Sequence, residues 1–361
     1  MEIRGDNVIT VKEIAKMCNV SASTVSNILN GKPNVGEATR QRVLEVVRET
    51  GYQPNYYASN MRRRSTRTIS IIAEDLGQFS TVSILEAALA CCEERDYRTV
   101  IMNLRMYDKW KDTWYNDENK LLNTLTPVLN ELLSIKVDGV IYIAGHGRMI
   151  KCLPEDFALP TVVAYGASEN NRFPSVILED ERGGYEMMQY LTSMGHKRIG
   201  IVAGMADNVH TAKRLLGCQK ALFEAGIPYN PEWTKYGDWE RTSGYICTRE
   251  LVKNGVTAIW CMNDIMAGGA YDYAHEHGLQ IGKELSIAGY DNRQIAEFFY
   301  PRLTTNELPL AQIGKTAAQI LLKTLNETSG SGEEQAAKEA EDNVVMVGGK
   351  MIIGDSVCRL A

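Results

Sequence analysis

The stretch Ser21-Ala22-Ser23-Thr24-Val25-Ser26-Asn27-Ile28-Leu29-Asn30 decides the fold of the N-terminal region. Val25, Ile28 and Leu29 recur at helical spacing, while Ala22, Ser23, Ser26 and Asn27 fall elsewhere on the helix with short, uncharged ends. A solvated helix carries Lys and Glu on such a face; small polar ends suit a face pressed against another surface. A first helix over residues 11–18 precedes it. Thr10 and Glu13 have the spacing of a capping box, Asn19-Val20 supplies a tight turn, and Ser21 caps the second helix. Two short helices joined in this way read as a helix-turn-helix, with an ordinary pair of core helices as the competing reading. Downstream, Asn34-x-x-Glu37 is expected to open a third helix that Gly51 stops. Its Val43, Val46 and Val47 are expected to pack on Ile14, Ala15, Val20 and Val25.

The next segment, from Gly51-Tyr52-Gln53-Pro54-Asn55 through Ala58 to Met61-Arg62-Arg63-Arg64, has too little amphipathic pattern for a helix that stands alone. DNA would order it: the three arginines meet phosphates, and Met61 offers an apolar wedge for a minor-groove step. A solvated basic linker is the alternative. Residues 1–67 hold 11 Lys and Arg against 6 Asp and Glu, a net of +5, and the remainder carries −11, against −6 for the whole chain. A basic head on an acidic body suits a polyanionic partner.

Beyond Thr68, strand-like runs at 69–73, 100–103, 139–144, 161–165, 199–203, 258–262 and 287–290 alternate with helical stretches near 83–94, 121–134, 185–194 and 212–225. This order predicts parallel sheets covered on both faces, and the number of units predicts two α/β lobes. Ligands of such folds lie beyond the carboxyl ends of strands. That rule singles out Asp75 to Phe79, Arg214 at the opening of the helix after 201–204, Asn263-Asp264 and Asp291-Asn292, with Trp239 in the Gly237-Asp238-Trp239 turn. Carboxylate, amide and guanidinium groups bond hydroxyls, and an aromatic ring stacks on the apolar face of a sugar, so the set suits a polyol. Taken singly, Asn263 and Asp291 also read as turn or capping residues.

Several classes fall away. No apolar run reaches the roughly 18 residues of a membrane span, and the first residues lack the apolar core of a signal peptide, so a cytoplasmic protein is expected. Eight cysteines without Cys-x-x-Cys or zinc-finger spacing read as buried free thiols, and no metal or cofactor is indicated. Gly145-His146-Gly147 follows a strand, but Ile150 replaces the third glycine of a dinucleotide fingerprint. His275-Glu276-His277 lacks the spacing of a helical zinc pair, and no phosphate loop or nucleophile elbow is found. An α/β enzyme is thus the weaker hypothesis.

The head resembles that of the lactose-repressor/galactose-repressor (LacI/GalR) family of transcription regulators. Ile14-Ala15, Val20-Ser21-x-Ser23-Thr24-Val25-Ser26-x-Ile28-Leu29-Asn30, Thr39-Arg40, Val43, Gly51-Tyr52-x-Pro54-Asn55 and Ala58 match its DNA-binding region. Gly195-His196-Lys197-Arg198-Ile199, Arg214-Leu215-Leu216-Gly217, Asn263-Asp264-x-x-Ala267, Gly289-Tyr290-Asp291 and Leu303-Thr304-Thr305 match its effector domain in order. The resemblance implies an all-α head over 1–53, a hinge over 54–66, and an α/β effector-binding and dimerisation body over 67–361. The body would comprise two Rossmann-like lobes resembling periplasmic sugar-binding proteins, one of about 67–166 and 297–328, the other of about 167–296 and 329–361.

By the same resemblance Ala22, Ser23 and Asn27 read base edges, and Thr10, Ser21, Thr24, Ser26, Asn30 and Thr39 hold phosphates. Asn55, Ala58, Met61 and Arg62 serve the hinge in the minor groove; Phe79, Asp180 (or Glu179), Arg214, Trp239, Asn263 and Asp291 serve the effector cleft. The chain departs from the family with Met61 for a common Leu, Gly36 for a Ser, and Leu308 and Leu310 where several sugar-binding relatives carry a polar and an aromatic residue. Residues 107–120, with two Trp and two Tyr, read as an inserted surface loop packing back on its lobe, and 329–342 as an acidic loop. The expectation is a homodimeric repressor on a palindromic operator, controlled by a small effector, first a sugar, with a purine or a phosphoprotein as alternatives.

Overall fold

The computed structural model describes residues 9–29, 31–52, 65–111, 117–154, 156–328 and 343–360. The chain forms two compact units, Met1–Thr66 and Arg67–Ala361.

The first unit contains α1 (Val11–Met17), α2 (Ala22–Leu29) and α3 (Glu37–Thr50). Thr10 and Glu13 form the expected capping box: the Thr10 hydroxyl accepts the Glu13 N–H at 3.4 Å, and the Glu13 carboxylate accepts the Thr10 N–H at 2.7 Å. Asn19 makes the turn with φ +48°, a conformation Asn tolerates better than most residues. Ile14, Ala15, Cys18, Val25, Ile28 and Val43 form the core, with Val20, Val46 and Val47 packed at its edge. Gly51, at φ +63°, ends α3. The start of α3 differs from the expectation. Its N-cap is Gly36 with no side-chain bond, not Asn34: Val35 packs against the core, and the chain bends there before the helix starts.

The second unit is α/β. Its strands are β1 (Thr68–Ala73), β2 (Arg98–Asn103), β3 (Gly139–Ile143), β4 (Met149–Ile150), β5 (Thr161–Ala164), β6 (Ala167–Ser168), β7 (Ser175–Leu178), β8 (Ile199–Ala203), β9 (Thr234–Tyr236), β10 (Ala258–Cys261), β11 (Ser286–Ala288), β12 (Thr305–Asn306), β13 (Val344–Val347) and β14 (Met351–Ile352). Its helices are α4 (Phe79–Glu93), α5 (Met106–Trp110), α6 (Glu118–Ile135), α7 (Asp180–Ser193), α8 (Val209–Glu224), α9 (Arg241–Lys253), α10 (Asp264–Glu276) and α11 (Leu310–Thr328).

Two parallel sheets carry the lobes. The first has the order β13-β7-β5-β3-β1-β2 and the second β11-β10-β8-β9. Alternating residues of β1 and β3 serve opposite faces. Ile69, Ile71, Ile141 and Ile143 join one core with Ile84 of α4 and Ile313 of α11, and Ile72, Val140 and Tyr142 join another with Leu125 and Leu129 of α6. Gly314 lets α11 lie directly on the Ile84 carbonyl, leaving no room for a Cβ.

The expected lobe limits need correction. β7 and β13 fall in stretches assigned to the second lobe, yet they pair with each other and close one side of the first sheet. Neither run was long enough to read as a strand, and β9 escaped for the same reason. Leu308 and Leu310, where the family pattern is broken, are buried in the core. The aromatic insertion, expected as a loop, is helical at both ends, in α5 and at the start of α6; Trp110 packs back on the α6 core as expected, while 112–116 lie outside the described residues. Seven cysteines are buried and Cys358 partly so. Among the described residues no helix is long and apolar enough to cross a membrane.

Candidate functional site

In the head, Ala22, Ser23 and Asn27 all stand on α2. Ala22 and Ser23 are exposed and Asn27 half-buried, while Val25 and Ile28 face the core. The Asn27 amide has no hydrogen-bond partner among the described residues, leaving donor and acceptor open. The Ser21 hydroxyl accepts the Thr24 N–H at 3.1 Å and bonds the Ser23 and Thr24 hydroxyls at 2.7 and 2.8 Å, which caps α2. Ser26 on α2 and Thr39 in the first turn of α3 are half-buried, and Thr10 is exposed. Asn30, Asn55, Ala58, Met61 and Arg62 lie outside the described residues.

In the body the sequence-predicted residues meet at a cleft of about 860 Å³. Phe79, Arg214, Trp239, Asn263 and Asp291 line it; Asp180 stands one layer behind. The Asp180 carboxylate accepts Arg214 Nε at 2.8 Å and His210 Nδ1 at 2.6 Å. Burial would raise this carboxyl, but His210 and Arg214 override it and hold it at about 2. Arg214 sits in the second turn of α8, not at its opening, because Asn208 caps that helix one residue before Val209. Its Nη1 donates to the Met262 carbonyl at 2.6 Å, and its guanidinium lies 3.7 Å over the Tyr290 ring. His210 Nε2 accepts the Gly147 N–H at 2.9 Å, so the ring proton belongs on Nδ1, facing Asp180. That bond joins the α8 end of the second lobe to the loop after β3 in the first.

Asn263 proves to be a capping residue that also holds the site together. Its Oδ1 accepts the Met266 N–H at 2.7 Å, capping α10, and its Nδ2 donates to the Trp239 carbonyl at 2.9 Å. Trp239 is at φ +71°, costly for an aromatic residue, and its ring lies over Gly204, where a Cβ has no space. Asp291, 9% exposed, is at φ +110°, and its carboxyl has no hydrogen-bond partner among the described residues. Burial pushes that carboxyl up, with Arg214 opposing. Burial also pushes Asp264 up to about 7, although its oxygens accept the Thr305 hydroxyl at 2.6 Å and the Arg293 N–H at 2.8 Å.

Sequence reasoning missed a second buried pair. The Glu74 carboxylate accepts both Arg148 Nη atoms at 2.8 and 2.6 Å, the Tyr142 hydroxyl at 2.6 Å and the Gly145 N–H at 2.6 Å, setting Arg148 in the cleft wall. Glu74 follows the last residue of β1, one residue before the stretch singled out, and Arg148 follows the Gly145-His146-Gly147 run dismissed as a failed fingerprint. His146 also lines the cleft; burial, with Arg148 and His210 beside it, pushes its imidazole down to about 2, so it is neutral. Among the described residues no cluster of ligands could hold a metal ion.

Comparison with known proteins extends these observations. Residues 10–55 match the bacterial regulatory proteins of the lacI family, and residues 188–357 match the periplasmic binding protein-like domain. The chain is 30% identical to the HTH-type transcriptional repressor PurR of Aliivibrio fischeri over 324 residues, 88% of this chain and 92% of that one. It is 29% identical to catabolite control protein A of Priestia megaterium over 88% of this chain and 93% of that one. Its fold is similar to the lac repressor dimer bound to operator and the anti-inducer ONPF (TM-score 0.73, 22% identity, 97% and 99% of the two chains). It is similar as well to the regulator CelR in complex with cellobiose (TM-score 0.60, 22% identity, 96% and 99%). A capped helix-turn-helix, an α/β body with a ligand-sized cleft and these similarities lead to one assignment: the chain belongs to the lacI family of bacterial regulatory proteins, a DNA-binding transcriptional regulator and not an enzyme.

Proposed function

We propose that the chain represses transcription as a homodimer on a palindromic operator and responds to a small polar effector, a sugar, held in the cleft. The observation that carries the effector reading is the Asp291 carboxyl, buried and without a hydrogen-bond partner among the described residues, in the same cleft as Arg214 and Trp239. Asp291 accepts ligand hydroxyls, Arg214 donates through N–H groups not used on Asp180 and Met262, and Trp239 takes the apolar face of the ring. Cellobiose in the similar CelR complex agrees with this chemistry.

For operator reading, the Asn27 amide bonds adenine at two points and the Ala22 methyl meets a thymine methyl, with Ser23 beside them. Thr10, Ser21, Thr24, Ser26, Asn30 and Thr39 hold phosphates, and Asn55, Ala58, Met61 and Arg62 enter the minor groove. Dimerisation is supported by apolar surface on the body, where Phe298 is 76% and Tyr300 87% exposed. An effector bridging the walls joined by the His210–Gly147 bond changes how the lobes close. Effector and operator then alter each other's affinity by one common factor.

The test is a thermal-shift screen of sugars and nucleobases on the full chain, followed by operator binding with and without each hit. A hit that stabilises the protein and changes operator affinity is the expected result. Stabilisation without any change in operator affinity rejects the coupling. Similarity to PurR favours a second reading, a purine base bonded by Asp291 and Arg214 and stacked on Phe79; a screen answered by nucleobases and by no sugar selects it.

A further inference from the structure

At the first-lobe edge of the cleft, α4 begins without a side-chain cap. Its N-cap residue Gln78 makes no capping bond, and the N–H groups of Phe79 and Ser80 have no acceptor among the described residues. Asp75, the nearest acid in sequence, is engaged elsewhere: its carboxylate accepts the Gly77 N–H at 2.7 Å and the Asp108 N–H at 3.2 Å. Asn208 and Asn263 cap α8 and α10 with their own side chains, whereas α7 and α9, like α4, begin without one. Free N–H groups at the start of a 15-residue helix favour an anion.

Two further observations point to a ligand there. Ser80 is 1% exposed and lines the cleft, yet its hydroxyl has no hydrogen-bond partner among the described residues. Leaving a buried hydroxyl unbonded is unfavourable unless something entering the cleft completes it. Arg293, reaching across from the second lobe, lines the same cavity with its guanidinium 4.4 Å over the Phe79 ring, the first residue of α4. Among the described residues it forms no salt bridge to a carboxylate. Asp291 lines the same cavity and feels the charge of Arg293, while Asp207 precedes α8 and Asp238 and Glu240 precede α9.

The geometry points to an effector that bears a phosphate monoester, seated on the Phe79 and Ser80 N–H groups and the Ser80 hydroxyl and clamped by Arg293. This rests on the effector reading above and narrows it. The neutral part of the molecule faces Asp291, Arg214 and Trp239, and the phosphate, held by charge-assisted bonds from both lobes, draws them together. The phosphate can be carried by a sugar or by a nucleoside; the chemistry at α4 is the same.

Calorimetric titration of the full chain with glucose 6-phosphate, guanosine 5′-monophosphate, their unphosphorylated parents and inorganic phosphate tests this. At least one phosphate ester is expected to bind about tenfold or more tighter than its parent. Which ester does so separates the two sources. Arg293→Gln is expected to remove most of that preference and Ser80→Ala to lower it about threefold, with Arg293→Lys restoring part of it and all three melting like the parent protein. Parents that bind as tightly as their esters, or a preference that survives Arg293→Gln, overturn the phosphate site and leave the cleft an effector site. No response to any of the five probes overturns the phosphate site as well, and the sugar and nucleobase screen then decides the effector reading separately.

Discussion

On α2 the side chains proposed to meet DNA are short, and Ala22 and Ser23 are exposed; around the cleft, Asp180, Arg214 and Asn263 are buried and already bonded to one another or to backbone. The head keeps these proposed reading residues outside its core, so that core needs nothing from them. The body builds its binding wall from groups that also hold loops and helices in place. A substitution in the head should therefore change affinity and leave stability alone, whereas one in the cleft should change both.

Arg214→Ala is the strongest way to break this contrast. It leaves the buried Asp180 carboxylate with His210 alone, and a loss of about 3–5 kcal/mol in urea unfolding is expected. A loss under about 1 kcal/mol would place Arg214 with ordinary surface residues. Acid comes next. The depressed Asp180 contributes stability that is complete above about pH 4 and lost as pH falls toward 2, about 2.5 kcal/mol in all. Asp264 has the opposite sign: its raised carboxyl contributes stability below about pH 4 that fades as pH rises through 7. Melting temperature followed from pH 2 to 8 should thus pass through a maximum, with Asp180→Asn flattening the acid limb and Asp264→Asn the neutral one.

In the head, Asn27→Ala should weaken operator binding by about 1–3 kcal/mol and relax preference at one base pair. Unfolding should move by less than about 0.5 kcal/mol. Equal losses on operator and random DNA would remove Asn27 from base reading. The smallest effect sharpens the contrast from the body side. Asn263→Ala removes the α10 cap and the tether on Trp239, so about 1 kcal/mol of stability should go together with weakened effector binding. Full stability with lost binding would make Asn263 a ligand contact and not a positioning residue.

The difference also explains what could be read in advance. The head's features are local: the Thr10–Glu13 box, the Asn19 turn, the stop at Gly51 and the outer face of α2 each occupy a few consecutive residues. The one error there, the start of α3, arose because Val35 obeys the core and not the capping pattern. In the cleft, Asn263 and Asp291 could be found because they follow strand ends, Arg214 because it lies on the helix after β8, and Trp239 because it lies in a Gly-Asp-Trp turn. Glu74 and Arg148 could not be paired, since 74 residues separate them and each looks ordinary in its own segment. His210 was overlooked because nothing local shows that its ring bonds Asp180 on one side and Gly147 on the other.

By itself, then, the sequence determined the helix-turn-helix, the α/β alternation, the split of charge and the family, because these depend on spacing along the chain and on composition. Only the tertiary structure decided which short runs joined which sheet, that Asp180 and Asn263 support the cleft from behind, and that α4 opens uncapped beside Ser80 and Arg293. The reason is physical. A buried charge or an unbonded hydroxyl is defined by what surrounds it in space, and those partners come from loops far apart in the chain.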